Sequence, residues 1–275
     1  MAKLTRRTVL TGISALGLGA IAQARDTTAV SGARWLPGNA DEHWRHLVRM
    51  QMSTRSEDVP WWYTGRIYAQ VGDQAPQHLY NLEGTEIYWT RELPDGSFAI
   101  SGRTLTFFRD KESGEMIREF VNPFTGKTNA VAANRLGGKD GSVYSASGWR
   151  FTSEYMGENE PRPWQFEWHR AGNLAWFTSS RFSRALPQPW LESMTVFCPV
   201  DSLLDPEINN LPTHFTSTYL SPWSSWLEMG DRPGHLVWHS SGKKLESIDE
   251  IPDEYRRRVD AEHGGVLTAR PESWD

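Results

Sequence analysis

From Val59 onwards, apolar and polar residues alternate with a period of two. Trp61, Tyr63, Ile67, Ala69 and Val71 fall on one side of the alternation, and Trp62, Thr64, Arg66, Tyr68 and Gln70 on the other. Successive strand side chains point to opposite faces, so this segment predicts a half-buried strand with one apolar and one amphipathic face. A second run, His78 to Thr90, is rich in Tyr, Thr, Ile and Trp. Leu93-Pro94-Asp95-Gly96-Ser97 predicts a turn, because proline presets φ and glycine supplies a positive φ. Phe98 to Arg109 returns, Asp110 to Gly114 turns, Met116 to Val121 runs back, and Pro123 to Gly126 turns before Thr128 to Leu136.

The style persists beyond the loop Gly137 to Gly141. Ser142 to Ser153 predicts a strand, and so does the alternation of Trp164, Phe166 and Trp168 with Gln165, Glu167 and His169. Leu174 to Arg181, Leu191 to Cys198, His214 to Tyr219, Ser224 to Met229 and His235 to Ser240 complete the set. Residues 199–212 hold three prolines and predict a long excursion with one helical turn. No helical period separates the other runs, so sequential hairpins with antiparallel pairing follow.

Two segments carry the helical period instead. Asn39 and Glu42 have the spacing of a reciprocal cap, and Trp44, Leu47, Val48 and Gln51 then share a face. His43 and His46 lie on a neighbouring face, which we read as solvated because no third ligand accompanies them at helical spacing. Near the C-terminus, Pro252 suits a first turn, Asp253 and Glu254 precede Arg256 to Arg258, and Gly264-Gly265 ends the helix.

Ten or more antiparallel strands must close or stack, because long open edges invite aggregation. The expected fold is mainly β: an antiparallel meander closing into a barrel of about ten strands, with short helices near both termini. A two-sheet β-sandwich is the alternative. Residues 39–265 are expected to form this one barrel-like domain, after a flexible arm over 25–38 and before a tail over 266–275.

Residues 1–24 stand apart from this pattern. Arg6-Arg7 precedes a modest apolar run from Val9 to Ala22, and Ala22-Gln23-Ala24 follows. That is the layout of a twin-arginine export signal with a small-residue cleavage site. It implies a periplasmic or otherwise exported protein, with the twin-arginine translocase as a transient partner and a retained anchor as the alternative. The run is short and glycine-containing for a bilayer span, and no other segment approaches that length, so stable membrane insertion of the mature chain is not expected.

Composition narrows the partners. The formal net charge is -5, which gives no basic footprint for nucleic acid. Cys198 is the only cysteine, so no internal disulfide forms, and its apolar surroundings read as those of a buried small hydrophobe. Fourteen tryptophans accompany eleven phenylalanines and eight tyrosines. Such a surplus fits either a lined cavity or cross-strand aromatic packing.

Pro60-Trp61-Trp62-Tyr63-Thr64-Gly65-Arg66-Ile67-Tyr68, Leu93-Pro94-Asp95-Gly96, Asn122-Pro123-Phe124-Thr125-Gly126 and Glu228-Met229-Gly230-Asp231-Arg232-Pro233-Gly234 together resemble a bacterial family, domain of unknown function 1838. The resemblance covers roughly residues 40–265. It implies one domain and no particular reaction.

Motifs for acyl-transfer elbows, zincin metal sites, phosphate-cradling loops and dinucleotide binding are absent from the sequence. No metal ligands and no cofactor are assigned. Three weaker groupings remain. His235 and His239 share a strand face about 13 Å apart by strand rise, so either acts alone. His78, Tyr80, Glu86 and Tyr88 share one face by alternation, with Glu83 on the other, and offer an acid, a base and phenolic donors. Arg118, Asn122, Thr125 and Lys127 gather at a hairpin end, where they fit either an anion grip or ordinary turn chemistry.

The candidate acid–base residues are therefore His78, Glu86, Tyr88 and His235. The candidate ligand-contacting residues are Trp61, Tyr63, Tyr80, Arg118, Asn122, Trp168 and Trp238. The leading expectation is an exported β-barrel that holds a small apolar or aromatic molecule in an internal pocket. The alternatives are a cofactor-independent lyase, isomerase or hydrolase in the same pocket, and an envelope interaction module.

Overall fold

The alternating segments do form strands. The computed structural model describes residues 35–39, 42–151, 163–164, 167–183 and 190–270, with backbone only at 138–140, 151, 181–183 and 190. The expected export signal, most of the expected arm, Gln165-Phe166 and the last five residues lie outside the described residues.

Helix α1 (His43–Gln51) comes first. The Asn39 N–H donates to Glu42 Oε2 (3.2 Å) and the Glu42 N–H donates to Asn39 Oδ1 (3.1 Å), the reciprocal pair that the spacing predicts. The strands that follow are β1 (Asp58–Gln70), β2 (Gln77–Glu92), β3 (Phe98–Arg109), β4 (Glu119–Val121), β5 (Thr128–Ala130), β6 (Asn134–Ser145) and β7 (Gly148–Phe151). Then come β8 (Trp168–Ala171), β9 (Leu174–Ser183), β10 (Trp190–Pro199), helix α2 (Val200–Leu204), β11 (His214–Ser221), β12 (His235–Lys244) and helix α3 (Asp253–Glu262).

Ten strands form one antiparallel sheet in the order β7-β6-β3-β2-β1-β12-β11-β10-β9-β8. The chain thus winds outward from β1 to β7 and inward from β8 to β12. The mainly β antiparallel meander matches expectation, and these ten strands make one sheet rather than the two of a sandwich. The two end strands are neighbours in sequence, yet among the described residues no ladder joins β7 to β8, so hydrogen-bonded closure is not seen. β4 and β5 form a separate two-stranded ribbon.

The period of two sorts the side chains onto two faces. On the core face, Trp61, Tyr63, Ile67, Tyr80, Phe108, Phe177, Val196 and Phe215 join one buried cluster with α1 and α2. On the other face, Leu105, Phe107 and Trp62 meet α3 through Tyr255 and Val259. Tyr255 stands edge-on to Trp62 and Phe107 and reaches between β2 and β3. Its hydroxyl accepts from the Thr85 N–H (3.2 Å) and donates to the Leu105 carbonyl (2.6 Å). Arg109 adds an ion pair to buried Glu83 (2.7 Å) and to Glu254 of α3 (2.9 Å).

Several expected segments differ from the structure. Gly137–Gly141, expected as a loop, lies within β6; among the described residues the run from Trp164 becomes strand only at Trp168, and Met116–Val121 only from Glu119. Ser224–Met229 is a 3-10 turn (Ser225–Leu227), because Pro222 supplies no N–H to extend the β11 ladder. Thr128–Leu136 breaks after Ala130, and Ser142–Ser153 contains the β6–β7 turn at Ala146-Ser147.

Candidate functional site

Cross-strand register aligns the core face into rows. One row reads Thr106–Gly84–Tyr63–Gly242–Phe215–Val196–Phe177–Trp168. The Tyr63 ring lies across Gly84, where an added Cβ would fall 2.5 Å from its Cζ. Its hydroxyl thereby meets Thr106 Oγ1 at 2.7 Å. Glycine leaves the room that the neighbouring aromatic fills. Gly242 plays the same part, with Tyr63 on one side and Phe215 on the other.

The next row is unlike its neighbours: Leu82–Gly65–Ser240–Ser217–Met194–Ser179. Beyond it stands Tyr80–Ile67–Trp238–Tyr219–Glu192. Between two rows of large side chains, β9 to β12 therefore carry three serines and a methionine. Ser179, Met194, Ser217 and Ser240 are only half-buried, and so are Trp238, Tyr219 and Glu192. We read the small serines between these rows of larger side chains as a shallow recess, bordered by Trp238, Tyr219, Met194 and Glu192.

Its polar groups are ordered. The Ser217 and Ser240 hydroxyls bond to each other at 2.7 Å. Trp238 Nε1 donates to Ser221 Oγ at 2.8 Å. Burial, with a smaller contribution from the Glu192 carboxylate, raises the Tyr219 pKa, so the phenol stays a protonated donor. Among the described residues neither Ser217 nor Ser240 bonds a histidine or carboxylate, so no activated serine is assembled.

The end of the core face towards α1 is filled and pinned. Lys244 is buried with all three donors used, on the carbonyls of Arg49 (2.8 Å) and Met52 (2.9 Å) and on Asn210 Oδ1 (2.9 Å). Burial holds its pKa well below the ordinary lysine value. Arg49 donates to the carbonyls of Ile208 (2.6 Å), Leu203 (3.0 Å) and Asp205, and to His46 Nδ1 (3.2 Å). Cys198 lies in this packed layer with its thiol pushed up to about 12 by burial, which suits the inert role expected of it. His43 and His46 correct an expectation: their face is not solvated. His43 is buried and both rings sit near the Trp168 edge at 6.3 Å.

The candidate residues named from sequence are scattered over this frame. Trp61 is buried, with Nε1 on the Gln51 carbonyl (2.8 Å) and its ring against Phe215. Tyr80 is buried among Phe108, Phe120 and Trp226. Trp168 packs on Phe177. Asn122 is fully buried and ties the β4–β5 turn to the Leu227 carbonyl (2.7 Å) while accepting from the Phe124 N–H (2.8 Å). Arg118 is exposed and paired with Glu262 (2.8 Å). Trp238 alone of the ligand-contacting set lines the recess.

Among the acid–base set, Tyr88 donates to Glu86 Oε1 at 2.5 Å on the core face, with its ring over Gly102. His78 does not share that face, contrary to the alternation. Ile67 pairs with Tyr80 and Tyr68 with His78, so Leu79 is an extra residue in β2. A bulge of one residue inverts the facing of everything before it. His78 accordingly meets Tyr68 (5.1 Å between rings) and Asn81 Oδ1 (3.0 Å) on the other face. There it borders a cavity of about 140 Å³ with Leu79, Lys111 and Phe120. His235, at the start of β12 opposite Gln70, also lies on the other face, away from Tyr88 and Glu86. Among the described residues no group of three metal-ligating side chains occurs.

Sequence reading missed Met194, Glu192, Ser217, Tyr219 and Ser240. Each sits in an identified strand, but only the pairing register brings them into adjacent rows.

A family model described as a protein of unknown function (DUF1838) matches residues 56–275. The match starts later and ends later than the resemblance read from motifs. No curated protein matches. Among solved structures, the crystal structure of MucB in complex with MucA(peri) gives 10% identity, a TM-score of 0.11, and coverage of 84% of this chain and 98% of that one. The complex structure of Pseudomonas aeruginosa MucA/MucB gives 10% identity, a TM-score of 0.10, and coverage of 84% and 99%.

Proposed function

We propose, on the premise that the chain belongs to the family of domain of unknown function 1838, that it binds a small, largely apolar or aromatic molecule on the core face. The recess between β9 and β12 is the site. The observation that carries this reading is the half-exposed serine row set between Phe215 and Trp238. A ligand body stacks on Trp238 and Met194, and its polar end reaches the Tyr219 phenol or the serine pair. Ligand sites combine apolar walls with few polar groups in this way.

Titration with a panel of aromatic and lipid-like compounds, read by tryptophan fluorescence, tests it. Saturable quenching is expected, and at least tenfold weaker binding when Ser217 and Ser240 are both replaced by leucine. A panel without any saturable response, or a double variant binding like the parent, would overturn the assignment.

The enzyme reading rests on a separate observation, the Tyr88–Glu86 hydrogen bond on the core face. Turnover of a bound carbonyl compound that disappears in Tyr88→Phe with binding intact is the result that would favour it. Export is part of the same proposal: the double variant Arg6→Lys/Arg7→Lys is expected to remain in the cytoplasmic fraction.

A further inference from the structure

A groove of about 310 Å³ runs between α3 and the segment Met116–Arg118 that leads into β4. Its volume is at the lower end of the range for small-molecule sites. Arg118, Arg257 and Arg258 line it together with Glu254 and Glu262, and Met116 and Ala261 add apolar surface.

The carboxylates do not satisfy these arginines one for one. Glu254 turns to Arg109, which also grips buried Glu83. Glu262 is shared between Arg118 (2.8 Å) and Arg258 (3.2 Å). Arg257 forms no ion pair among the described residues, and neither do Asp260 of α3 and Glu119 of the facing segment.

Arg258 is also held in place. Its side chain is only 14% exposed. Nε faces Glu262, Nη1 meets Met116 Sδ at 2.8 Å, and the guanidinium lies 4.2 Å from the Phe107 ring centroid. A guanidinium fixed by packing loses little further freedom when it takes another acceptor.

We propose that this groove binds a small molecule bearing an oxyanion, carboxylate or phosphate. The oxyanion bridges Arg118 and Arg257 beside fixed Arg258, and any apolar body lies on Met116 and Ala261. Planar guanidinium forks match carboxylate and phosphate oxygens by paired N–H donors. The site is open to solvent and bordered by acids, so the affinity is modest and falls with salt.

Calorimetric titration of the purified protein with inorganic phosphate and with hexanoate, each at low and high ionic strength, tests this. At least one anion is expected to saturate, and to bind at least tenfold more weakly in the double variant Arg118→Ser/Arg257→Ser. Phosphate alone saturating identifies a phosphate ligand; hexanoate alone identifies an organic carboxylate. The double variant Arg118→Lys/Arg257→Lys keeps the charge and should retain part of the binding, which guards against a serine variant that fails to fold. Neither anion saturating, or serine-variant affinity equal to the parent's, overturns the proposal. Core-face binding is unaffected in either outcome, so this site and the serine recess are tested separately.

Discussion

Replacing His46 with glutamine is expected to make the protein less sensitive to acid. His46, on α1, is half-buried with its ring near Trp168, and Arg49 Nη1 donates to its Nδ1 at 3.2 Å. An acceptor nitrogen carries no proton, so this contact requires the neutral ring. Burial first, then the Arg49 charge, lowers its pKa from 6.5 to about 4. The folded pKa lies below the unfolded one, so between these values only the unfolded chain binds the proton. Stability from this ring is therefore complete above the unfolded value and is lost as pH falls through the window, levelling off below about 4. At about 1.36 kcal/mol per pH unit, a fall of about 2.5 units sets a ceiling near 3.4 kcal/mol. The ring keeps some solvent contact, which reduces the expected loss between pH 7 and pH 5 to about 1–2 kcal/mol. For a chain of this size that is a fall in Tm of several degrees, at about 2–4 °C per kcal/mol. Urea unfolding followed by tryptophan fluorescence at a series of pH values measures it. Carboxylates titrate in both proteins, so the difference in slope isolates His46. A glutamine variant that loses as much stability on acidification as the parent would refute the buried neutral imidazole.

Three further perturbations probe other parts of the frame. Burial holds the Lys244 amine well below its usual pKa, so the folded state gains stability as pH rises towards the unfolded value; Lys244→Met should flatten this rise in thermal melts between neutral and alkaline pH, and an unchanged slope would count against a buried amine. Gly84→Ala places a methyl group 2.5 Å from the Tyr63 ring and should lower stability by about 1–3 kcal/mol, whereas a neutral result would mean that Tyr63 does not cross Gly84. Asn122→Ala leaves the buried Leu227 carbonyl and Phe124 N–H without their partner, for a loss of about 2–4 kcal/mol by chemical denaturation; less than about 1 kcal/mol would show that the β4–β5 turn holds without it.

Much of the fold was legible because its signals are local. The period of two in Trp61–Tyr68 and the turn at Leu93–Ser97 depend on neighbours in sequence, as does the cap between Asn39 and Glu42. What escaped depends on pairing. The extra residue Leu79 leaves the composition of β2 unchanged, yet it moves His78 to the opposite face from Tyr80. Ser224–Met229 has a strand-like composition but stands where no partner ladder continues. The tryptophans misled for a related reason. Trp61 and Trp168 carry the large apolar area that invites a ligand reading, and the structure uses that area to fill the end of the core face that α1 covers. Serines in a strand carry no such signal, so the recess emerges only from the register of β10, β11 and β12.

That row also bears on why the recess exists. A core face selected for stability alone would place leucine or valine where Ser217 and Ser240 stand, each contributing about 1.5–3 kcal/mol on full burial. The two hydroxyls satisfy each other at 2.7 Å, so the serines are tolerated, though they add little apolar contact. Replacing both together removes donor and acceptor at once and strands neither, which is the case where polar-to-apolar exchange is nearly neutral or stabilising. The double leucine variant is therefore expected to melt at the same temperature as the parent or higher, while losing ligand binding. This opposition between stability and activity is the signature of a site kept open at the expense of packing. A double variant that unfolds several degrees earlier would show instead that the row is already close-packed, and the case for a recess between Phe215 and Trp238 would end there.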